Sequence, residues 1–496
     1  MSMNRSSGLF LHPTSLPSGY GVGDLGDAAF RWIDMLSTMK QSYWQVCPLG
    51  PTGYGDSPYQ SFSSFAGNTL LISPEKLKES GLLVQSELDD FPQLPENRVD
   101  FGAVIIEKEK LFEKAYARFN DTKEFSLFCE RERYWLDDYA LFRVLKNKNS
   151  GLPWYSWDAS IKLRFPAALE EVLNAERRAV RYQKFLQFFF HEQWMEIKNY
   201  ANAKNIKIIG DIPYYTAYDS SDAWAWPELF ELDENGKPFR VAGVPPDYFS
   251  EDGQLWGNPL YLWEYMKQDG YSWWIRRIKK TLEWVDYVRL DHFRGFESYW
   301  AVPASSKTAV NGEWVKGPGI NLFNSIRNEL GKLPVIAEDL GEITYGVEEL
   351  RCQAGLPGMK VLQFAFDGNP DNPYLPHNIY TDSITYTGTH DNDTSQGWFD
   401  NLTVPEKNRV TGYLGCNESG FLERFLRLAF GSSSRLCIIP FQDVLGLDTK
   451  HRMNIPGKDS GNWQWRFTND LVSIEKLSLV ASLTSIYGRS PKMACS

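Results

Sequence analysis

Three acidic residues in this chain of 496 residues each follow an apolar run that reads as a buried strand. They are Asp291 in "YVRLDHFRG", Glu338 in "VIAEDLG" and Asp391 in "TGTHDND", and two of them adjoin His292 and His390. A single acid at a strand end is usually a turn residue or a helix cap. Three such acids, each at the end of a separate predicted strand, favour one site to which all three contribute. Paired carboxylates without a metal are typical of glycosyl transfer, in which one acid protonates the leaving oxygen and another stabilises or attacks the sugar carbon.

Charged side chains cluster at the end of the run that carries Asp291, and two interpretations compete. Buried charges are costly unless they are paired, so the cluster is either a structural ion network or a cage around a catalytic carboxylate. Arg289 and Asp291 are two residues apart and therefore point to the same face of a strand. We expect Arg289 to keep Asp291 ionised by lowering its pKa. Glu338, as a proton donor, requires a raised pKa instead.

Eight short apolar runs, each closed by polar residues, Gly or Pro, predict buried parallel strands. Helical patterns separate most of them. This alternation is the pattern of a (β/α)8 TIM barrel, an α/β fold whose strand ends surround one mouth. A doubly wound open sheet is the alternative, because periodicity cannot show closure. The runs cover residues 8–12, 42–50, 206–213, 287–291, 333–339, 359–366, 383–391 and 435–443.

No repeat, linker or low-complexity tract divides the chain, so we expect a single catalytic domain over residues 1–496 without a separate C-terminal β-domain. Two connections are longer than an ordinary crossover. Residues 51–205 predict a largely helical insertion after the second strand. Residues 213–286 predict an insertion after the third strand, with a lid loop at 245–257. Barrels carry such insertions on the loops at the active-site end.

Composition limits the partners and the compartment. A net charge of −11 argues against nucleic acid and anionic membranes, and no apolar run approaches the ~18 residues of a membrane span. Aromatic residues form 15% of the chain, and their rings can stack on sugars. Six scattered cysteines without a C-x-x-C pair are typical of a reducing compartment. We expect the cytoplasm, or a plastid stroma if a transit peptide has been removed. No spacing of His or acidic residues predicts a metal site.

Longer stretches carry a resemblance to a known family. "VRLDHFRG", "AEDLG" and "THDND" resemble the short motifs of the α-amylase superfamily. Within it, the chain resembles the amylomaltase (4-α-glucanotransferase) family over essentially its whole length. The family-specific stretches are "LHPTSLPSGYGVGDLG", "PTGYGDSPYQSFSSFAGN", "IGDIPYYTAYDSSDAWA", "GVPPDYFSEDGQLWGNPLY", "GLPGMKVLQFAFD" and "RMNIPG". The resemblance implies a TIM barrel that needs no cofactor and moves α-1,4-glucan segments between maltooligosaccharides, or to glucose as acceptor.

The resemblance also implies a role for each motif residue. Asp291 would be the nucleophile of a retaining double displacement that forms a glycosyl-enzyme, and Glu338 would be the general acid and base. Asp391, helped by His390, would bind sugar hydroxyls and stabilise the transition state, while Arg289 would orient Asp291. Other substrate-binding side chains implied by the motifs are His292, Asp211, Tyr59, Ser57, Asp367 and Asn454.

The lid loop would separate a transferase from a hydrolase, because both form the same intermediate and differ in whether water attacks it. Tyr248, Phe249 and Trp256 on this loop could exclude water and stack an acceptor sugar. The alternative is a surface loop whose aromatic residues pack into the body of the protein. Tyr54, in "PTGYG", is a candidate for a second glucan-binding surface.

Two other functions remain open at this point. An α-glucan hydrolase would use the same acids, and a glucan-binding protein with an inactive site would need none of them. The three intact acids argue against the binding protein. We expect a monomer or a weak homodimer.

Overall fold

A computed structural model describes residues 4–246 and 251–491 of the chain. Tyr248 and Phe249, two residues of the predicted lid, therefore lie outside the described residues. In chain order the strands are β1 (Ser6–Phe10), β2 (Tyr43–Gln45), β3 (Lys207–Ile212), β4 (Arg240–Val244), β5 (Gln254–Pro259), β6 (Tyr287–Leu290), β7 (Ser298–Pro303), β8 (Glu313–Lys316), β9 (Val335–Ala337), β10 (Gly358–Val361), β11 (Ser383–Tyr386) and β12 (Leu436–Pro440).

One parallel sheet contains β10, β11, β12, β1, β2, β3, β6 and β9, in that spatial order. Each of these strands pairs in parallel with the next. The two ends of the sheet meet where the Ala337 N–H donates to Pro357 O at 3.0 Å. Nearby, the Met359 N–H donates to the Asp339 carboxylate at 2.6 Å. The predicted (β/α)8 barrel is confirmed, and the cyclic strand order excludes the open doubly wound sheet.

All eight predicted runs overlap a barrel strand, but β1 and β10 begin before their runs, and several strands are shorter than their runs. The run at 42–50 contributes only β2, and the run at 383–391 contributes only β11. Most of the residues beyond these strands are still buried, because they fill the mouth of the barrel. The apolar pattern therefore marks burial rather than the hydrogen-bonded ladder. Residues 387–391, which follow β11, form a loop at the mouth instead of extending the strand.

Helices surround the barrel, and the long crossover helices bury an apolar face against it. In the last of the long crossover helices, Phe421, Phe425 and Ala429 recur every four residues, and all three are buried. Another crossover helix ends at Gly355, whose φ of 64° lets the chain reverse toward β10. The helices are α1 (Asp27–Thr38), α2 (Pro74–Glu79), α3 (Gln85–Asp89), α4 (Phe101–Arg118), α5 (Lys123–Arg131), α6 (Arg133–Lys148), α7 (Ala159–Lys162), α8 (Pro166–Ala175), α9 (Arg177–Ala203), α10 (Ser221–Ala225), α11 (Trp263–Gln268), α12 (Ser272–Trp284), α13 (Ile320–Leu330), α14 (Tyr345–Ala354), α15 (Ser395–Asn401), α16 (Val404–Leu414), α17 (Phe421–Gly431), α18 (Phe441–Leu445) and α19 (Ile474–Ile486).

Helices α2 to α9 lie between β2 and β3, in the segment where the sequence predicts a helical insertion. The long helix α9 holds the loop that follows β2. Its buried Gln187 side chain accepts from the Gly67 N–H at 2.8 Å and donates to Gly67 O at 3.0 Å. Gln193, also on α9, accepts from the Ser73 N–H at 2.7 Å. Paired buried amides of this kind fix the path of the loop.

A second, antiparallel sheet has the order β5-β4-β7-β8. Strands β4 and β5 come from the connection between β3 and β6, whereas β7 and β8 come from the connection between β6 and β9. The loops that follow two adjacent barrel strands thus join in one small sheet. After β12, the described residues up to 491 form α18, α19 and irregular segments. Within the described ranges, no helix has the length and apolar character required to cross a membrane.

Candidate active site

The buried guanidinium of Arg289 connects three carboxylates at the mouth of the barrel. Arg289 lies on β6, and its Nη1 is 2.7 Å from Asp211 Oδ2 and 3.0 Å from Asp291 Oδ1. Its Nη2 is 4.0 Å from Glu338 Oε2. These acids come from the ends of three neighbouring strands, β3, β6 and β9. The closed barrel therefore brings together side chains that are up to 127 residues apart in the sequence, a separation obtained as 338 minus 211.

Two backbone N–H groups hold the carboxylate of Glu338. The His292 N–H donates to Oε2 at 2.6 Å, and the Leu340 N–H donates to Oε1 at 3.0 Å. His292 has φ 48° and ψ 49°, a left-handed conformation that is uncommon for a residue with a Cβ. This turn directs its N–H toward Glu338 immediately after Asp291, so the two acids are tied together through the backbone.

Burial raises the pKa of both acids, but to different values. The pKa of Glu338 is raised to about 8 by burial, against the opposing charge of Arg289. The pKa of Asp291 is raised to about 6, again by burial against Arg289. Arg289 does act to lower the pKa of Asp291, as expected, but desolvation outweighs the ion pair and leaves the pKa above its usual value. Near pH 7 the arrangement nevertheless favours an ionised Asp291 beside a protonated Glu338.

Asp391 has a different environment from the other two acids. Its Oδ2 is 3.3 Å from His390 Nε2, and its Oδ1 accepts from the Asn454 side-chain amide at 2.6 Å. Burial acts to raise the pKa of Asp391, but His390 and Asn454 hold it well below its usual value. Asp391 therefore stays ionised throughout the neutral range, as a group that binds donors or stabilises positive charge requires.

Tyr59 connects the loop after β2 to both halves of the site. Its hydroxyl donates to Asp211 Oδ2 at 2.8 Å, and its ring stacks on His390 with centroids 5.0 Å apart. The Ser57 hydroxyl accepts from the Tyr59 N–H at 3.2 Å, so Ser57 supports the turn that presents the ring. The rings of Tyr59 and Trp463 are 5.8 Å apart.

His292 and Trp256 lie together at the edge of the mouth. Their rings meet edge to face with centroids 5.0 Å apart, and Trp256 lies on β5 of the small sheet. Burial, followed by the charge of Arg294, lowers the pKa of His292 to about 3, so its ring is neutral. His292 Nε2 and Asp211 Oδ1 are buried without a protein partner among the described residues. Since an unpaired buried polar atom is costly, both atoms are candidates for binding a ligand hydroxyl.

Known proteins resemble this chain over nearly its whole length. A family model for 4-alpha-glucanotransferase matches residues 11–472. The curated 4-alpha-glucanotransferase of Thermus thermophilus is 50% identical and covers 94% of this chain and 95% of its own. That of Synechocystis sp. is 48% identical and covers 98% of both chains. The structure of amylomaltase from Streptococcus agalactiae in complex with acarbose matches with a TM-score of 0.96 at 38% identity, over 98% of this chain and 100% of that one.

This chain belongs to the 4-alpha-glucanotransferase family. The resemblance inferred from the sequence motifs is confirmed, and so is the conclusion that the protein is a 4-alpha-glucanotransferase, an enzyme of carbohydrate metabolism. Among the described residues of this 4-alpha-glucanotransferase, no group of three or more His, Cys, Asp or Glu side chains is arranged to hold a metal ion.

Two predicted binding residues of this 4-alpha-glucanotransferase lie apart from the cluster around Arg289. Asp367 is on an exposed turn, where its carboxylate accepts from the Asn369 N–H at 2.9 Å. Tyr54 is 76% exposed on a short 3-10 turn. Their roles in binding glucan stay predictions, as do those of Tyr248 and Phe249 outside the described ranges.

Two residues at the site were missed in the sequence. Arg452 donates to the backbone carbonyl of Asp391, and Trp463 lies 5.7 Å from the ring of His390. Arg452 belongs to "RMNIPG", so the motif itself was a signal. Neither residue follows a barrel strand, however, and the argument from strand ends therefore could not locate them.

Proposed function

We propose that this enzyme transfers α-1,4-glucan segments between maltooligosaccharides, or to glucose, by a retaining double displacement through a glycosyl-enzyme. The observation that carries the proposal is the pair Asp291 and Glu338. Both acids contact the guanidinium of Arg289, yet their pKa values are about 6 and about 8. One acid is ionised and the other protonated near neutral pH, as a nucleophile and a proton donor must be.

In the first step, Asp291 attacks the anomeric carbon as the glycosidic bond breaks. Glu338 gives its proton to the departing oxygen, so the leaving glucan ends in a free 4-hydroxyl. The product is a glycosyl-enzyme with an ester bond to Asp291, and Glu338 is now ionised. In the second step, the 4-hydroxyl of an acceptor attacks the same carbon and passes its proton to Glu338, and the ester bond to Asp291 breaks. Two inversions retain the α-configuration.

The surrounding residues prepare these steps without exchanging protons. Arg289 orients Asp291, and Asp211, which accepts from the Tyr59 hydroxyl, binds the same nitrogen of Arg289 and holds it in place. Asp391 is available to bind sugar hydroxyls and to stabilise positive charge at the anomeric carbon. The solved Streptococcus agalactiae amylomaltase holds acarbose. We place the maltooligosaccharide of this enzyme in the cleft between the three acids.

Selection of a sugar acceptor over water is assigned to the predicted lid at 245–257, whose last residues, from Gln254 onward, form the start of β5 rather than a loop. Within it, Trp256 packs against His292 beside Glu338, which is consistent with a cover over the acceptor side. Exclusion of water from the glycosyl-enzyme would leave an acceptor hydroxyl as the available nucleophile. Tyr248 and Phe249, on the same loop, are proposed to complete this cover.

Incubation of the wild-type chain with maltotriose tests the proposal. Transfer yields glucose and a ladder of longer glucans while the total number of reducing ends stays constant. Hydrolysis increases the number of reducing ends, and a protein that only binds glucan changes nothing. Either of these two results would contradict the proposal.

Variants of the two acids test the assignment of roles. We expect Asp291→Asn and Glu338→Gln each to lower turnover at least about 10³-fold. Neither should unfold the protein, because an amide keeps the shape and volume of the carboxyl group it replaces. Glu342→Gln, an exposed acid in the loop that follows Glu338, is the matched control and should retain activity. Unfolding of both active-site variants would favour a structural ion network.

The proposed compartment and oligomeric state do not depend on the geometry of the site. Six scattered cysteines are consistent with the cytoplasm, and the source of the curated Synechocystis relative is compatible with that assignment. We propose a monomer or a weak homodimer, which size-exclusion chromatography with light scattering would test. Glucan and glucose are the proposed partners.

A further inference from the structure

A segment near the C-terminus contacts the main chain of Asp391. We call residues 452–454 the clasp. Within it, Arg452 Nε donates to Asn454 O at 2.7 Å, and Arg452 Nη2 donates to the backbone carbonyl of Asp391. One planar guanidinium thus binds the backbone carbonyls of Asn454 and Asp391. Because its N–H groups point in fixed directions, it sets both the distance and the orientation between the clasp and Asp391.

Asn454 adds two further contacts from the same segment. Its side-chain amide donates to Asp391 Oδ1 at 2.6 Å, and its backbone N–H donates to His390 O at 3.1 Å. Together with Arg452, the clasp contacts the carboxylate of Asp391, its carbonyl and the preceding carbonyl. Arg452 binds the backbone carbonyl of Asn454 at 2.7 Å, so the same guanidinium contacts both Asp391 and the residue whose side chain binds its carboxylate.

The parallel ladder of the barrel ends before Asp391. Strand β11 ends at Tyr386, and residues 387–391 lie beyond the parallel ladder. The contacts within this loop are local: Asn392 Oδ1 accepts from the N–H and the hydroxyl of Thr389, and the Asp391 N–H donates to the Thr389 hydroxyl at 3.3 Å. Outside this turn, the Thr387 hydroxyl donates to Asp443 and the ring of His390 packs against Tyr59, but neither contact binds the carbonyl or the carboxylate of Asp391. By contrast, Asp291 and Glu338 each follow a strand directly.

We propose that Arg452 is a positioning residue for catalysis, which sets the place of Asp391 through its backbone carbonyl and through Asn454. The inference rests on the proposed function, since it assigns a role to the carboxylate of Asp391 in the reaction. Arg452 itself contacts no reacting atom. Its effect is to keep Asp391 within reach of both His390 and the substrate, a distance that the loop after β11 does not fix alone.

Substitution of Arg452 by Met removes the guanidinium and keeps most of the side-chain volume. A misplacement of about 1 Å at a reacting group costs on the order of 100-fold in rate, so we expect kcat to fall about 10- to 100-fold. KM should change less than about threefold, because the effect falls on the transition state. Arg452→Lys should restore part of the loss, since one ammonium can reach one of the two carbonyls.

Lys450→Met provides the matched control, because Lys450 is an exposed cation two residues earlier whose ammonium makes no contact with the loop after β11 in the described structure. It should leave kcat unchanged. A double-variant cycle with Asn454→Ala separates positioning from general stability. If both residues act on Asp391, the loss in the double variant should be smaller than the product of the single losses.

The outcomes separate this proposal from the proposed function. If the wild-type chain makes no glucan ladder from maltotriose, the proposed function fails first. If the wild type makes the ladder and Arg452→Met retains wild-type kcat, the positioning role is refuted. A loss that multiplies independently with that of Asn454→Ala, or that follows a lowered melting temperature without rescue by Lys, would also refute it.

Discussion

Two carboxyl groups with similar ordinary pKa values acquire different ones around a single guanidinium. Asp291 lies 3.0 Å from Arg289, whereas Glu338 lies 4.0 Å away, and burial acts on both. Because Coulomb attraction weakens with distance, Arg289 offsets less of the desolvation of Glu338. Burial opposes the charge of Arg289 as well, but the carboxylates hold its pKa well above the usual value. The charge of Asp291 acts in the same direction, because it also raises the pKa of Glu338.

The pH dependence of kcat/KM should be bell-shaped, with limbs near the two raised pKa values. Below about pH 6, Asp291 is protonated and cannot attack. Above about pH 8, Glu338 is ionised and cannot donate a proton. We therefore expect maximal activity between these values, measured as kcat/KM for maltotriose disproportionation over pH 5 to about 9.

A donor that needs no proton for its leaving group isolates the alkaline limb. With α-glucosyl fluoride, formation of the glycosyl-enzyme in Glu338→Gln should retain the acidic limb and lose the alkaline one. Persistence of the alkaline limb in this variant would remove Glu338 as its source. Glu338→Gln should also be at least as heat-stable as the wild type at about pH 9, because the folded-state pKa of Glu338 is raised and its ionisation destabilises the fold.

At the level of elements, the contact between β9 and β10 closes the barrel and also supports the turn that follows Glu338. Asp339 follows Glu338, and its Oδ1 accepts from the Met359 N–H at 2.6 Å. Its Oδ2 lies 3.3 Å from Arg351 Nε. A side chain at Gly358 would place a Cβ 2.2 Å from this carboxylate, so the close approach requires glycine.

We expect Asp339→Ala to weaken this closure. The change leaves the buried Arg351 without its carboxylate, which should lower the free energy of unfolding by about 3 kcal/mol. Urea denaturation followed by tryptophan fluorescence measures the loss. Glu349→Ala removes an exposed acid from α14 and is the control. Equal urea midpoints for the two variants would show that Asp339 does not stabilise the contact between β9 and β10.

For the whole molecule, a buried arginine joins three parts of the chain that are distant in sequence. The guanidinium of Arg466 donates to Leu16 O, to Ser18 O at 2.6 Å and to Pro95 O at 3.1 Å. Its neighbours continue the contact, because the Phe467 N–H donates to Ser15 O at 3.1 Å. The C-terminal region therefore packs on both the loop after β1 and the segment between β2 and β3. This supports our proposal that the chain forms one catalytic domain with two elaborated connections.

Arg466→Met should destabilise the molecule as a whole. The carbonyls of Leu16, Ser18 and Pro95 would lose their shared donor, and we expect a loss of about 3 kcal/mol in the free energy of unfolding. The segment at 464–471 should also become accessible to proteases before global unfolding. Arg98→Met, at an exposed arginine on the neighbouring segment, serves as the control. A variant as stable and protease-resistant as this control would contradict the role of Arg466.

The local pattern of the sequence was sufficient to predict the barrel and the acids at its mouth. Buried runs closed by polar residues indicate parallel strands, and eight of them with intervening helices indicate the fold. Asp291 and Glu338 follow such runs directly, so their convergence could be inferred without coordinates. The expected ion pair between Arg289 and Asp291 was likewise visible, because residues two apart on a strand share a face.

Only the tertiary structure decided the charge states and the remote supports of the site. The pKa of Asp291 depends on burial and on charges from several segments of the chain. A local sequence pattern does not show which segments will surround the residue. The contact of Arg452 with Asp391 joins residues 61 apart across loops without periodicity. Periodicity records which face of an element is apolar, whereas the distance between two loops is set by the packing of everything between them. The acids could therefore be located from the sequence, whereas their protonation states depend on the tertiary structure.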